Sequence, residues 1–176
     1  MGDAGEISSV DRPNPSGMRL GIDFGGVIIP HDRERFINCE PEDVVALDPF
    51  PFALETITAL AARLGGRVWI ISKAGWDTQE RTRLWLEHHE FHGRTKIPPD
   101  NLRFCDTHHD KRGICVELGI TDMIDDRFQV HEALSGVVAR RYLFGDRRDE
   151  GAPNDLGLIA ISDWTALDAL LLGRQG

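Results

Sequence analysis

The residues of this chain best suited to chemistry stand where apolar runs stop. Asp23 ends the run in "LGIDFGGVIIP" and is followed closely by Gly25 and Gly26. Ser72 and Lys73 end "VWIISK", Asp125 and Asp126 end "TDMIDD", and Lys111 follows Asp110 in "HHDKRGI". Strand-end carboxylates, a hydroxyl and lysines can serve a reaction crevice, or they can merely cap strands and helices. Lys111 is the more telling of these, because a cation at a helix start opposes the helix macrodipole and so favours a task there.

The elements that must position these side chains follow from periodicity. Runs at 18–23, 67–72, 121–125, 140–144 and 156–161 read as buried strands, with a weaker sixth at 101–105. Helical spacing fills the gaps. In "PFALETITALAARLGG" the residues Leu54, Ile57, Leu60, Ala61 and Leu64 share one face before a Gly-Gly stop. Further helices are predicted in "WDTQERTRLWLEHHEF", in "DKRGICVELGI" with Asp110 as its cap, in "FQVHEALSG", and in "DWTALDALLLG" capped by Asp163. Strands alternating with helices imply an α/β fold: a Rossmann-like three-layer sandwich with a mostly parallel central sheet. In such sheets ligands bind beyond the carboxyl ends of the strands. Asp23 with Gly25 and Gly26, Ser72 with Lys73, Asp125 with Asp126, and Gly145 with Asp146 are therefore the positions to read.

At 176 residues the chain suits a single domain. Residues 18–172 are expected to form it, between a flexible tail at 1–17 and a short one at 173–176. The formal net charge of −9 disfavours an extended nucleic acid, whose binding begins with clustered Lys and Arg. Small phosphorylated compounds stay open, since a metal ion and a few local cations offset a field that is negative only on average. Cys39, Cys105 and Cys115 have no C-x-x-C spacing and leave one unpaired in any disulfide scheme, which points to reduced thiols. No segment reads as an export signal or a membrane span, so a cytoplasmic protein is expected. His88 and His92 are four apart on a helix but lack the H-E-x-x-H pattern of a zinc site. The tryptophans read as packing, apart from Trp76 just past Ser72, a candidate substrate contact.

Asp in "GIDFGGVI", Ser in "VWIISKAG", Lys in "HHDKRGI" and the acidic pair in "MIDDR" resemble, in order, the four motifs of the haloacid dehalogenase-like (HAD) hydrolases. The resemblance implies a phosphohydrolase in which Asp23 attacks phosphorus and forms an aspartyl-phosphate. It implies Mg²⁺ held by Asp23, the Gly25 carbonyl, and the pair Asp125 and Asp126, of which Asp125 is expected to be the ligand. Ser72, Lys73, Gly26 and Lys111 would hold the phosphoryl group, with Lys111 offsetting charge in the transition state. Arg127 would add a cation or hold its loop, and His108 and His109 would line the crevice.

One position departs from the pattern. The phosphatases of this family carry a second Asp two residues after the nucleophile, which protonates the leaving group; here Gly25 stands there. General acid–base help contributes about 10²- to 10⁴-fold, so a slow enzyme is expected unless His31 or Asp32 supplies the proton. The alternative is a catalytically inactive HAD-like binding or scaffold protein. Cleavage of carbon–halogen or carbon–phosphorus bonds ranks below both. The stretch from Asp23 to Ser72 is too short for a cap domain of about 50 residues or more. An open site admits a bulky phosphomonoester, nucleotide- or sugar-phosphate-like, or is covered by a partner chain such as a homo-oligomer.

Overall fold

A computed structural model of the chain describes residues 16–30, 40–145 and 156–174. The apolar runs become β1 (Leu20–Ile22), β2 (Val68–Lys73), β3 (Leu102–Cys105), β4 (Asp122–Asp125), β5 (Arg140–Phe144) and β6 (Ile159–Ile161). They pair in the order β3-β2-β1-β4-β5-β6, and every pairing is parallel. The helices are α1 (Pro41–Val45), α2 (Ala53–Arg63), α3 (Trp76–His88), α4 (Phe91–Thr95), α5 (Lys111–Leu118), α6 (Phe128–Ala133) and α7 (Trp164–Leu172).

The pleat of β2 sorts the helices into layers. Val68 and Ile70 join the larger core with Ile57 and Leu60 of α2, Trp85 of α3 and Leu167 of α7. Trp69 and Ile71 face the other way, into a smaller core with Cys115 of α5 and Val130 of α6. Alternate residues of a strand point to opposite faces, so one apolar strand serves two cores. Each fully buried Ile or Leu contributes roughly 1.5–3 kcal/mol, so both layers have ample driving force. Gly21 lets the smaller core close. A Cβ there would lie 2.6 Å from the Met123 sulfur and 3.1 Å from Ile71 Cδ1.

This strand order reverses direction of progression at β1, with β2 on one side and β4 on the other. Crevices in open parallel sheets form at that switch point, beyond the carboxyl ends of the strands. The tips of β1 and β4 carry Asp23 and the Asp125–Asp126 pair.

Several elements differ from the sequence reading. The predicted helix through Phe91 stops at His88, because Glu90 takes a left-handed backbone (φ 50°) and α4 starts anew. The last strand begins at Ile159 rather than 156, since Gly157 at φ 60° leaves the extended region. Asp110 precedes α5 but does not cap it: its own backbone is helical, and its carboxylate turns back to accept from the Thr107 amide at 2.9 Å. Asp163 does cap α7, accepting from the Ala166 amide at 2.9 Å. Phe52, just before α2, holds a left-handed backbone at φ 64°, which costs a bulky residue about 1–2 kcal/mol. The surrounding turn fixes it: Phe50 donates to the Ile28 carbonyl at 2.8 Å, and the Phe52 carbonyl accepts from Thr56 at 3.0 Å. Residues 1–15 of the expected N-terminal tail and 175–176 of the C-terminal one lie outside the described residues, while Ser16 accepts from Arg67 Nη1 at 2.8 Å. No helix among the described residues is long and apolar enough to cross a membrane.

Candidate metal centre

Strand register brings the first two carboxylates together. Ile22 of β1 pairs with Ile124 of β4, so the next residues, Asp23 and Asp125, stand side by side. The Asp23 amide extends the ladder by donating to the Ile124 carbonyl at 2.9 Å. Ile22 and Ile124 face the larger core, so the pleat turns Asp23 and Asp125 toward the layer of α5. There Lys111, the first residue of α5, donates from one Nζ to Asp23 Oδ1 at 2.8 Å and to Asp125 Oδ2 at 2.7 Å. This lysine is only 1% exposed. Two buried carboxylates offset the unfavourable helix end that the sequence singled out.

The second half of the acidic pair approaches from the β4 side. Asp126 lies 3.5 Å from Arg127 Nε and packs over the turn that follows β1. That turn is tight: Ile28 donates to the Phe24 carbonyl at 2.8 Å and Gly26 to the Ile29 carbonyl at 2.8 Å. Gly26 has φ 85°, and a Cβ on it would lie 2.4 Å from Asp126 Oδ2. Backbone and carboxylate thus share a space that no side chain could enter.

Asp23, Asp125 and Asp126 each offer an oxygen, all within 4.8 Å of one another and all buried. Burial pushes the Asp23 carboxyl above its ordinary range; Lys111 opposes that shift and Asp125 adds to it. Burial alone would lower the Lys111 pKa, but Asp125 and then Asp23 outweigh it, and the lysine is held above its usual value. The cluster is crowded: three buried carboxyl groups share the buried Lys111 and the Arg127 side chain 3.5 Å from Asp126. Such a set of oxygens, concentrated and desolvated, can hold a metal ion, and all-oxygen donors suit a hard cation.

The remaining sequence candidates fall around this centre unequally. Ser72 is buried at the carboxyl end of β2, the neighbour of β1, and its carbonyl lies 3.8 Å from Cys105 Sγ. Lys73 beside it is exposed. His108 is half-buried, and its pKa is lowered by burial first and then by Lys73, Lys111 and Arg127, which places it in the field of the same cations. Gly25 is partly exposed and bridges to Ile29. Trp76 stands at the start of α3 with 75% of its surface exposed. His92 bonds the Ile97 carbonyl at 2.8 Å instead of approaching His88. Cys105 and Cys115 are free thiols, and burial pushes them up to about 11 and about 12. His31, Asp32, Cys39 and Asp146 lie outside the described residues.

Two features escaped the sequence reading. His131, fully buried in α6, donates from Nε2 to the Asp125 carbonyl at 2.9 Å. A carbonyl only accepts, so Nε2 carries a proton, and burial holds the ring's pKa down at about 4, which keeps it neutral near pH 7. It braces the loop from beneath. The Arg127 amide completes the brace by donating to Asp125 Oδ1 at 2.9 Å. His131 sits on an apolar helix face, where a core histidine and a brace look alike in sequence.

The second feature is a cavity of about 550 Å³ opening beside the cluster, bordered by Gly26 and Asp126. Phe50, Pro51 and Phe52 lie along it, with Phe144, Trp164 and the polar Ser162, Asp163 and Thr165. Sequence gave no sign of it, because its lining is drawn from segments far apart in the chain.

No protein-family model matches this chain, and no curated protein matches it.

Proposed function

We propose that the chain is a Mg²⁺-dependent phosphohydrolase of the haloacid dehalogenase-like type, acting on a phosphomonoester. The observation that carries this reading is the bridge from Lys111 to both Asp23 and Asp125, with Asp126 within the same small acidic group. Asp23, Asp125 and Asp126, with the Gly25 carbonyl, would hold the ion. The Gly26 close approach and the all-oxygen donor set fit a small hard cation. When bound, Mg²⁺ would withdraw charge from the phosphoryl oxygens and relieve their repulsion by the carboxylates.

The chain's own residues supply the rest. Lys111 fixes one Asp23 oxygen and leaves the carboxylate aimed for attack on phosphorus. As the new oxygen–phosphorus bond forms, the bond to the leaving oxygen breaks, and its electron pair departs with that oxygen, which takes up a proton. Water then cleaves the aspartyl-phosphate, releasing inorganic phosphate and restoring Asp23. Ser72 and Lys73 at the tip of β2 bind phosphoryl oxygens. Gly25 offers no proton, so turnover should depend steeply on the leaving group, fast for nitrophenol and slow for an alkyl alcohol.

The test is hydrolysis of p-nitrophenyl phosphate with Mg²⁺ by the wild type and by Asp23→Asn. Turnover in the first and its loss in the second are expected. Equal rates would remove the proposal. Gly25→Asp should raise the wild-type rate, toward the 10²- to 10⁴-fold that acid–base help contributes. Gly25 also favours the second reading, an inactive binding or scaffold protein. Its signature would be Mg²⁺ binding with no turnover in either the wild type or Gly25→Asp.

A further inference from the structure

The cavity beside the acidic cluster has features that the phosphoryl site does not need. Its volume of about 550 Å³ is within the range of small-molecule pockets. Asp126 belongs to both the acidic cluster and the cavity lining, and Gly26, which packs against it, lines the cavity too, so the two sites adjoin. Its aromatic residues form a connected row: Phe50 and Phe144 have ring centroids 5.7 Å apart, and Phe144 and Trp164 are 5.6 Å apart. Trp164 is locked in place by its indole N–H, which donates to the Val27 carbonyl at 2.8 Å on the turn after β1.

Phe52 supplies a second, independent observation. It is 62% exposed, an uncommon state for a phenylalanine, and it keeps that state on a left-handed backbone. The turn that holds this backbone thereby sets an aromatic ring at the cavity mouth, within reach of a ligand inside it. Ser162 and Thr165 add hydroxyls to the same lining, and the Asp163 carboxylate there is already engaged by Ser162 and Ala166. Phe50 and Phe52 are the accessible aromatics, with the buried Phe144 and Trp164 behind them, and such an apolar wall with a few hydroxyls suits a planar ring that carries its own polar atoms.

We propose that this cavity binds the aromatic leaving group of the substrate, with Phe52 as its outer wall. The inference rests on the phosphomonoester reading of the adjoining cluster and narrows it to aryl or nucleoside phosphates. Of the two, the aryl phosphates accord with Gly25, since a phenolic leaving group departs with little help from an acid, whereas a nucleoside leaves as an alkyl alcohol.

Two sets of probes separate this inference from the reading beneath it. The first carries no phosphate: adenosine, phenol and glycerol are titrated into the wild-type protein while the Trp164 indole N–H is followed by NMR. Adenosine or phenol should shift that resonance saturably, and glycerol should leave it in place. Adenosine alone would identify a nucleobase pocket, and phenol as well as adenosine a general aryl pocket; either supports the proposal. The second set uses the wild type with Mg²⁺ to compare the dissociation constants of hydrolysis-resistant phosphonate analogues of AMP, phenyl phosphate and glycerol phosphate. At least one aromatic analogue should bind about tenfold or more tightly than the glycerol analogue, and Phe52→Ala should erase most of that preference. If the glycerol analogue binds as tightly as both aromatic analogues and Trp164 does not respond, the cavity assignment is overturned while the phosphohydrolase reading survives. If Trp164 responds to the free aromatics but their phosphonates bind no more tightly than they do, the aromatic pocket stands and the phosphomonoester reading falls.

Discussion

Strand β4 carries a buried aspartate at each end, and the two ends are built on opposite principles. At the amino end, Asp122 is surrounded by donors: Arg140 contributes Nε at 2.6 Å and Nη2 at 2.8 Å, Tyr142 its hydroxyl at 3.0 Å and Thr121 its hydroxyl at 2.6 Å. One carboxylate takes all of them. At the carboxyl end, Asp23 and Asp125 share one lysine, the Arg127 amide donates to Asp125 at 2.9 Å, and Asp126 meets the Arg127 side chain at 3.5 Å, so three carboxylates stand against two cations. Both ends are fully buried, so burial does not separate them. The ratio of donors to carboxylates does. A buried carboxylate with donors to spare is a clamp, whereas carboxylates outnumbering the cations beside them keep affinity for a further cation.

The comparison is first tested by breaking the clamp. Asp122→Ala leaves a buried Tyr142 hydroxyl and the Arg140 guanidinium without their acceptor, and is expected to lower unfolding free energy in urea by about 3–5 kcal/mol. Asp126→Asn, which removes one of the crowded charges, should leave stability unchanged or raise it. Equal losses from the two substitutions would erase the distinction.

A smaller effect separates the ends by pH. His131 is neutral under the Asp125 loop, with its pKa held down at about 4, whereas in the unfolded chain it titrates near its ordinary value. Between those two values the unfolded chain binds the extra proton, so this contribution to stability is lost as pH falls from about 6.5 toward 4. Urea unfolding of the wild type across that window should show up to about 3 kcal/mol more pH-dependent loss than His131→Gln, whose side chain can still donate to the carbonyl. Parallel pH profiles would show that the histidine does not titrate as described.

The smallest effect concerns the edge of the cavity. Asp163→Ala removes the α7 cap and should cost about 1 kcal/mol, measured in the same urea experiment. An unchanged midpoint would mean that α7 is held by Trp164 and Leu167 alone.

Much of this arrangement was legible in the sequence, and the rest was hidden for physical reasons. Largely apolar runs marked the buried strands, because a parallel sheet is covered on both faces and its strands do not alternate apolar with polar residues. Lys111 was legible as an electrostatic anomaly, a cation against a helix dipole, and the two carboxylates that resolve it lie at strand tips already singled out. The Asp110 cap was misread because the residue type suits both a helix cap and the Thr107 turn, and only the backbone chooses between them. The Asp122 clamp depends on parallel register, which sets Arg140 opposite Asp122 and which no local pattern encodes. The aromatic cavity joins the start of α2, the end of β5 and the start of α7, so its residues are neighbours only after the sheet has formed.

The central claim is that Asp23, Asp125 and Asp126 form a cation site rather than a structural ion pair. Calorimetric titration of Mg²⁺ into the wild type and into Asp126→Asn tests it most directly. The account expects one Mg²⁺ per wild-type chain, with binding lost or severely weakened in the variant. No binding by the wild type, or equal affinity in the two proteins, would contradict it.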